Sequence, residues 1–437
     1  MRLAEPQLEV AETAVSGVWV SRSWQKHLLT FLMVFGPGLI VMEADNDAGA
    51  VSTYMQAGGQ YGLHLLWILI VLLPICYFVQ EMVARLGIAT GKGHAAMIYE
   101  RFGKWWGHFS LFDLLVVNFL TLITEFAAIS LALSAMGVSP YISVPVSALG
   151  LTLMVVTGSY LRWERIVIAL CLMDLTWFAL ACIVHPDWAA VARSTVVAPG
   201  MPAGGITSSL IFLIIAIVGT TIAPWQLFFQ QSCVAEKRLR FSDLKWARLD
   251  TLIGATFTVM VAGAMMLVGD FGYRHHIPFE DPAKLALALG PIAGNFVRNG
   301  VLLLMVNAAV LGTTAISLAS AWAYGEVKGW EHSLHKKLWE APGFYATYIA
   351  CVGAAALIVL IPRVPLQLVI ISVQVFAGLI LPSAIIFLQL LLNDHDLLGE
   401  QWVNRPWNNV INWTIIAILF ALSLLLAAQV MLPKLFD

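Results

Sequence analysis

The chain has 437 residues, 60% of them hydrophobic and 11% charged, with a mean hydropathy of +0.83. Soluble domains carry about a quarter charged residues, so soluble enzymes, nucleic-acid binders and disordered scaffolds are excluded as whole-chain readings. The 24 Lys+Arg nearly balance 26 Asp+Glu, leaving a net charge of -2 and no excess for a polyanion such as nucleic acid. Cys76, Cys171, Cys182, Cys233 and Cys351 lie scattered in apolar runs without CxxC spacing, and read as packing residues rather than disulfides or a metal site. The composition is that of an all-α polytopic membrane protein.

Residues 1–26 are polar and mixed, with no cleavable-signal pattern, and read as a cytoplasmic N-terminal segment. A crossing helix needs roughly 20 mostly apolar residues. That template predicts eleven spans, at 27–57, 63–87, 108–136, 140–160, 165–185, 206–233, 250–270, 299–325, 343–361, 366–392 and 408–432. With the N-terminus inside, the inside segments carry 18 of the 24 Lys+Arg, among them the basic loop 237–248. The outside segments carry the other six: Arg193, Arg274, Lys284, Arg298, Arg363 and Lys434. This asymmetry predicts a cytoplasmic N-terminus and an extracytoplasmic C-terminus in a cell (plasma or inner) membrane. Tryptophans such as Trp67, Trp105, Trp106 and Trp188 read as interfacial anchors.

The first span departs from a lipid-facing helix. It places Glu43, Asp45 and Asp47 in mid-segment, with Asn46 between and Gly49 after. Three carboxylates at that depth require water, a cation or a partner helix. Gly58-Gly59 and Gly62 are expected to end this span and turn the chain. The sixth span carries Pro224 beside Thr220, Thr221 and Gln226. Proline removes a helical donor and frees carbonyls upstream, making those of Thr220 and Ile222 candidate cation ligands. Spans one and six hold corresponding places in two successive blocks of five. Interrupted helices at such places point to a transporter with inverted repeats and a midplane site. Glu125 of span three is a deep acid and a second candidate, whereas Asp113, Asp174 and Glu81 read as acids satisfied by neighbouring helices or near an interface.

The stretches GPGLIVMEADNDAGAVSTYMQAGGQYGLHLLW, QEMVARLGIATGKGHA, GTTIAPWQLFFQQS and LNDHDLLGEQWVN resemble, in order, motifs of the Nramp family of divalent-metal transporters. The resemblance runs from residue 30 to 432. It implies a LeuT-like architecture, with a first five-helix repeat over 27–185, a second, inverted repeat over 206–392 and an extra helix at 408–432. Laid on the family's Asp-Pro-Gly-Asn, this chain reads Asp47-Ala48-Gly49-Ala50. The family's metal-binding methionine falls at Ala223, the histidine after its proline at Trp225, and a second histidine at Gln230. Its paired acids of span three become Glu125 and Ala128, and the glutamine of span ten is kept as Gln374.

The resemblance therefore implies a metal site at Asp47, with Asp45 or Glu43 as a second carboxylate and with Thr220, Ala223, Gln226 and Gln374 around it. Ala50, Trp225 and Glu125 are expected along the pathway. Loss of a soft thioether removes a filter against hard ions. A roomy site with extra carboxylates suits Mg²⁺, which keeps several waters and touches one or two carboxylates. These substitutions resemble those of the Nramp-related magnesium transporters, a branch that carries Mg²⁺ and Mn²⁺ without proton coupling. With both family histidines gone, and the remaining histidines read in loops or at interfaces, Glu125 is the one obvious proton carrier in the core.

The expectation is a secondary transporter, a uniporter importing Mg²⁺ and also Mn²⁺ by alternating access, with no cofactor and an oligomeric state the sequence does not address. Its rivals are a proton-coupled Mn²⁺/Fe²⁺ transporter and the same fold with a small organic substrate lodged near Trp225, Phe228 and Phe229. A membrane enzyme finds no HExxH-type support. His275, His276, Glu280 and Asp281, like His395 between Asp394 and Asp396, read as solvated loop groups.

Overall fold

The computed structural model describes residues 33–431 except 157–158, 198, 201, 203–204, 206, 363 and 401. The expected N-terminal segment, the start of the first span, the last residue of the eleventh, Arg363 and Lys434 lie outside the described residues. The described residues contain helices and no strand.

In chain order the helices are α1 Pro37–Ala44, α2 Ala48–Tyr61, α3 Leu66–Thr90, α4 His94–Phe102, α5 Lys104–Ala135 and α6 Pro140–Val156. There follow α7 Tyr160–Met173, α8 Thr176–Ile183, α9 Trp188–Val196, α10 Ser208–Thr221, α11 Pro224–Glu236 and α12 Leu244–Arg274. The chain continues through α13 Pro282–Ala293, α14 Asn295–Lys328, α15 Pro342–Val359, α16 Leu366–Leu391, α17 His395–Leu398 and α18 Pro406–Met431.

Nine segments among the described residues are long and apolar enough to cross a membrane. Two local features separate this from the eleven expected spans. The α2 and α3 helices run on through a short 3₁₀ turn and form one 43-residue stretch, and α6 has only 17 residues, the lower end of a crossing length.

The first expected span is two half-helices, α1 and α2, separated at Asp45–Asp47. The sixth is likewise two, α10 and α11, separated at Ile222–Ala223. Pro224 does not kink a continuous helix. It occupies the first turn of α11, where its missing N–H is no loss. The expected turn at Gly58-Gly59 is corrected: both lie inside α2, and Gly62, at φ 57°, ends it. Gly58 serves packing instead, since a Cβ there would meet the Asp270 nitrogen of α12 at 2.8 Å. Across the same crossing a Cβ on Gly269 would meet the Gly59 nitrogen at 2.9 Å, so small residues let the two backbones touch.

The core is built on such crossings. α12 packs along both halves of the broken first span, α5 packs along α14, and α10 packs along α16. Tryptophan is divided between two roles. Trp105, Trp106 and Trp188 are exposed as expected of anchors, whereas Trp163, Trp177, Trp225 and Trp322 are buried. Their flat apolar area fills space between helices that Leu would leave void.

Candidate functional site

The two breaks face one another in the centre of the helix bundle. Helix ends leave backbone N–H and C=O groups without intrahelical partners, so two breaks meeting there expose polar backbone where lipid cannot reach. Asp47 caps α2, its Oδ1 accepting the Ala50 N–H at 2.9 Å. Asp45, inside the break, accepts a hydrogen bond from the Gln226 Nε2 of α11. The Gln226 Oε1 in turn accepts from Gln80 Nε2 of α3 at 2.9 Å, so Asp45, Gln226 and Gln80 form one chain across the two broken helices.

Gln374 of α16 completes this side. A Cβ on Gly49 would lie 3.0 Å from the Asp47 Oδ1 and would collide with the Gln374 amide, so Gly49 is what lets that amide approach Asp47. Ala50 is buried beside it. Thr220 sits at the end of α10 with its hydroxyl buried and unpartnered, and Ala223 caps α11 with its carbonyl accepting the Gln226 N–H at 3.2 Å. The Thr221 hydroxyl donates to the Ile217 carbonyl at 2.5 Å, so Tyr54 donates to Thr221 at 2.7 Å and seals the end of α10.

Glu125 approaches from the opposite wall. Its Oε2 accepts the Ala48 N–H at 3.2 Å, and a Cβ on Gly312 of α14 would lie 2.8 Å from both the Asp47 Cβ and the Glu125 Oε2. Asp47 and Glu125 are therefore neighbours across Gly312. Buried polar atoms without hydrogen-bond partners concentrate here: Asp45 Oδ2, Glu125 Oε1, Thr220 Oγ1 and Gln374 Nε2. An amide flip would present the Gln374 oxygen instead.

The three acids of the first span are not gathered at one point. Glu43 lies in the last turn of α1 and points to α12, its Oε1 accepting from the Thr258 hydroxyl at 2.9 Å. No group of three or more His, Cys, Asp or Glu side chains among the described residues is placed to hold one ion. Trp225 is buried against Phe229, with ring centroids 5.9 Å apart, and Phe228 packs against His94 at 4.8 Å. Phe228 and Phe229 are committed to packing, whereas the buried Trp225 Nε1 has no hydrogen-bond partner among the described residues.

Several polar residues of the core had no sequence signal that marked them. His94 is fully buried on α4, its Nδ1 2.9 Å from Gln231 Oε1, a correction to its reading as a loop or interfacial histidine. The run GKGHA gave no hint that α4 folds back into the bundle. Asp250 of α12 accepts the N–H groups of Gly36, Gly38 and Leu39 at 3.3, 2.7 and 3.2 Å, which supplies the missing N-cap of α1. Lys237 donates to the Phe35 carbonyl at 2.7 Å and pairs with Glu164 at 2.9 Å. Glu81 is paired with Arg248 at 2.7 Å, and Asp113 accepts from Ser383 at 2.6 Å, as acids satisfied by neighbours.

The face carrying the 237–248 segment is held by polar contacts beside two cavities of about 380 and 390 Å³. Here Lys237–Glu164 and Asp250 hold the start of α1, while Arg85 donates to the Trp402 carbonyl at 2.7 Å and to Asn404 at 2.6 Å. A cavity of about 800 Å³ toward the opposite ends of the helices is lined by Gln56, Gln60, Phe279, Lys284 and Gln367.

A helical bundle with two broken helices meeting at buried carboxylates defines a multi-pass membrane transporter with the LeuT-like inverted-repeat fold. The chain belongs to the Nramp family: the family model described as natural resistance-associated macrophage protein-like matches residues 38–429. It is 26% identical over 429 residues to the divalent metal cation transporter MntH of Staphylococcus aureus strain JH9, covering 91% of each chain, and equally to that of strain Newman. A crystal structure of the Eremococcus coleocola manganese transporter in complex with an aromatic bis-isothiourea substituted compound shares its fold. That match has a TM-score of 0.74 at 21% identity, over 95% of this chain and 90% of that one. Mhp1, a nucleobase-cation-symport-1 family transporter, matches at a TM-score of 0.55 and 14% identity, over 92% of this chain and 91% of that one.

Proposed function

We propose that this chain imports divalent metal ions, Mg²⁺ and also Mn²⁺, across the cell membrane by alternating access, as a uniporter without proton coupling. Transport of a divalent metal is favoured by the names of the relatives, and the choice of ion by the donor set. Asp47 is the principal ligand, Asp45 the second carboxylate, and Gln226, Gln374 and the end of α10 at Thr220 and Ala223 supply neutral oxygen. Ala50, Trp225 and Glu125 line the route.

The observation that carries the Mg²⁺ reading is chemical: Ala223 and Ala50 stand at the breaks where the family has methionine and asparagine. The donors that remain are oxygen and amide groups, which suit a hard, partly hydrated ion. The eleven-pass topology with a cytoplasmic N-terminus belongs to this proposal. It makes the face of the 237–248 segment cytoplasmic and places the 800 Å³ cavity on the outer side. The inside-negative potential then contributes about 2.3 kcal/mol per charge per 100 mV.

One observation favours the rival, a proton-coupled Mn²⁺/Fe²⁺ transporter: Glu125 beside Asp47 is an acid in position to take up a proton when the metal binds. Calorimetric titration with Mn²⁺, Cd²⁺ and Mg²⁺ separates the two. A soft site prefers Cd²⁺ strongly, whereas an all-oxygen site does not.

A further inference from the structure

We propose that the cavity of about 390 Å³ on the face of the 237–248 segment binds the phosphate headgroup of an anionic phospholipid, whose acyl chain lies along α18. Three span ends meet there. Arg85 stands near the end of α3, Arg248 in the first turns of α12 and Arg405 just before α18, and all three line the cavity. Glu81 is the one acid in the lining. Its Oε1 accepts from Arg248 Nε and Nη2 at 2.9 and 2.7 Å and lies 3.3 Å from Arg85 Nε. Three guanidinium groups therefore face one carboxylate.

The fold does not use up their donors. Arg85 is buried and commits Nη1 and Nη2 to the Trp402 carbonyl and to Asn404, but its Nε makes no hydrogen bond. Arg405 is exposed, and its side chain has no hydrogen bond or ion pair among the described residues. Excess charge at the edge of an apolar bundle is costly unless it is paired. The planar guanidinium fork matches the oxygens of a phosphate.

The surroundings point to a lipid as the source of that phosphate. Tyr77, Phe78 and Trp407 line the same cavity, with Phe78 and Trp407 edge to face at 6.0 Å. Aromatic rings of this kind gather where headgroups meet hydrocarbon. Beyond Trp407, the residues Val410, Thr414, Ala417 and Ala421 recur at spacings of three and four, and so continue its face of α18. These four line a groove of about 660 Å³. Its one hydroxyl is spent inside the helix, Thr414 donating to the Val410 carbonyl at 2.7 Å. The rise from Trp407 to Ala421 is about 21 Å, more than one leaflet of a hydrocarbon core about 30 Å thick. A cationic cavity continued by a largely apolar groove fits a molecule with one anionic end and a long chain. The topology proposed above puts it in the cytoplasmic leaflet, whose surface carries the anionic lipids.

The site is tested on the full chain, delipidated in detergent, by native mass spectrometry of the first bound lipid. Dioleoyl phosphatidylglycerol is expected to bind about tenfold more tightly than dioleoyl phosphatidylcholine. Arg405→Gln and Arg248→Gln are each expected to weaken the anionic lipid about fivefold. Arg405→Gln does so at an unchanged melting temperature, since its side chain holds nothing in the fold. Asn408→Arg adds a cation to the lining and is expected to tighten the same lipid, a gain that a misfolded variant cannot give. Ala417→Trp fills the groove and is expected to weaken the dioleoyl lipid several-fold while leaving dihexanoyl phosphatidylglycerol unchanged. Equal binding of the two dioleoyl lipids, or a preference that neither arginine variant lowers, overturns the proposal. Inorganic phosphate that binds as tightly as dioleoyl phosphatidylglycerol, with neither affected by Ala417→Trp, makes the ligand a free phosphate and overturns the lipid assignment.

Discussion

Gln226 of α11 donates its side-chain amide to Asp45 in the break of the first span, and so ties that break to the second half of the sixth span. The contact is buried, and Gln226 is itself fixed by Gln80 at 2.9 Å. Replacing Gln226 by Leu leaves a buried carboxylate without its donor. Hydrogen bonds to charged groups contribute about 1.5–3 kcal/mol, so Gln226→Leu is expected to weaken Mn²⁺ binding about tenfold or more. Calorimetric titration of the purified variant checks this; an unchanged affinity removes Asp45 from the site.

Gly312 is the spacer between Asp47 and Glu125. A methyl group there would stand 2.8 Å from both, well inside van der Waals contact. Gly312→Ala is expected to force the two acids apart and to reduce metal flux at least tenfold, with a stability loss of about 1–3 kcal/mol from overpacking. Flux into proteoliposomes, read against the melting temperature of the same preparation, separates the two effects.

Lys237 holds the start of the first broken helix. It is bound to the Phe35 carbonyl at 2.7 Å and to Glu164 at 2.9 Å, largely shielded from solvent. Breaking a buried pair by removing one partner costs about 3–5 kcal/mol. Lys237→Met is therefore expected to loosen this face, and Cys233, buried one turn away on α11, becomes the reporter. Alkylation of Cys233 from the side of residue 237, located by mass spectrometry, is expected to rise several-fold. An unchanged rate assigns the order of this face to the Arg85 and Asp250 contacts instead.

The motif resemblance sets Ala223 at the place of the family's soft ligand. Ala223→Met is expected to tighten Cd²⁺ at least tenfold, about 1.4 kcal/mol, and to leave Mg²⁺ the same or weaker. Parallel titrations with both ions decide it.

Much of this site was legible in the sequence because its signals are local. Three acids within five residues, and Pro224 in an otherwise apolar run, marked both breaks without knowledge of what they touch. Relationships between distant residues were not legible. Asp250 caps α1 from 212 residues away, and Asn307 meets Asp174 from 133 away, with nothing in either neighbourhood to announce the partner. The direction of Glu43 was hidden for a related reason. Two residues apart, Glu43 and Asp45 fall on opposite sides of the Ala44 helix end, and only the position of that end decides which faces Gln226. His94 was misplaced because a short polar stretch between two spans reads as a loop unless its fold-back is seen.

The central claim is that Asp47 carries a hard divalent ion without moving a proton. Its most direct test is Mg²⁺ influx into proteoliposomes loaded with a pH-sensitive dye, with wild type and Asp47→Ala compared under an imposed inside-negative potential. The account predicts potential-driven Mg²⁺ uptake by the wild type at constant luminal pH, and no uptake by Asp47→Ala. Luminal acidification in strict proportion to the Mg²⁺ taken up, or undiminished uptake by Asp47→Ala, would contradict it.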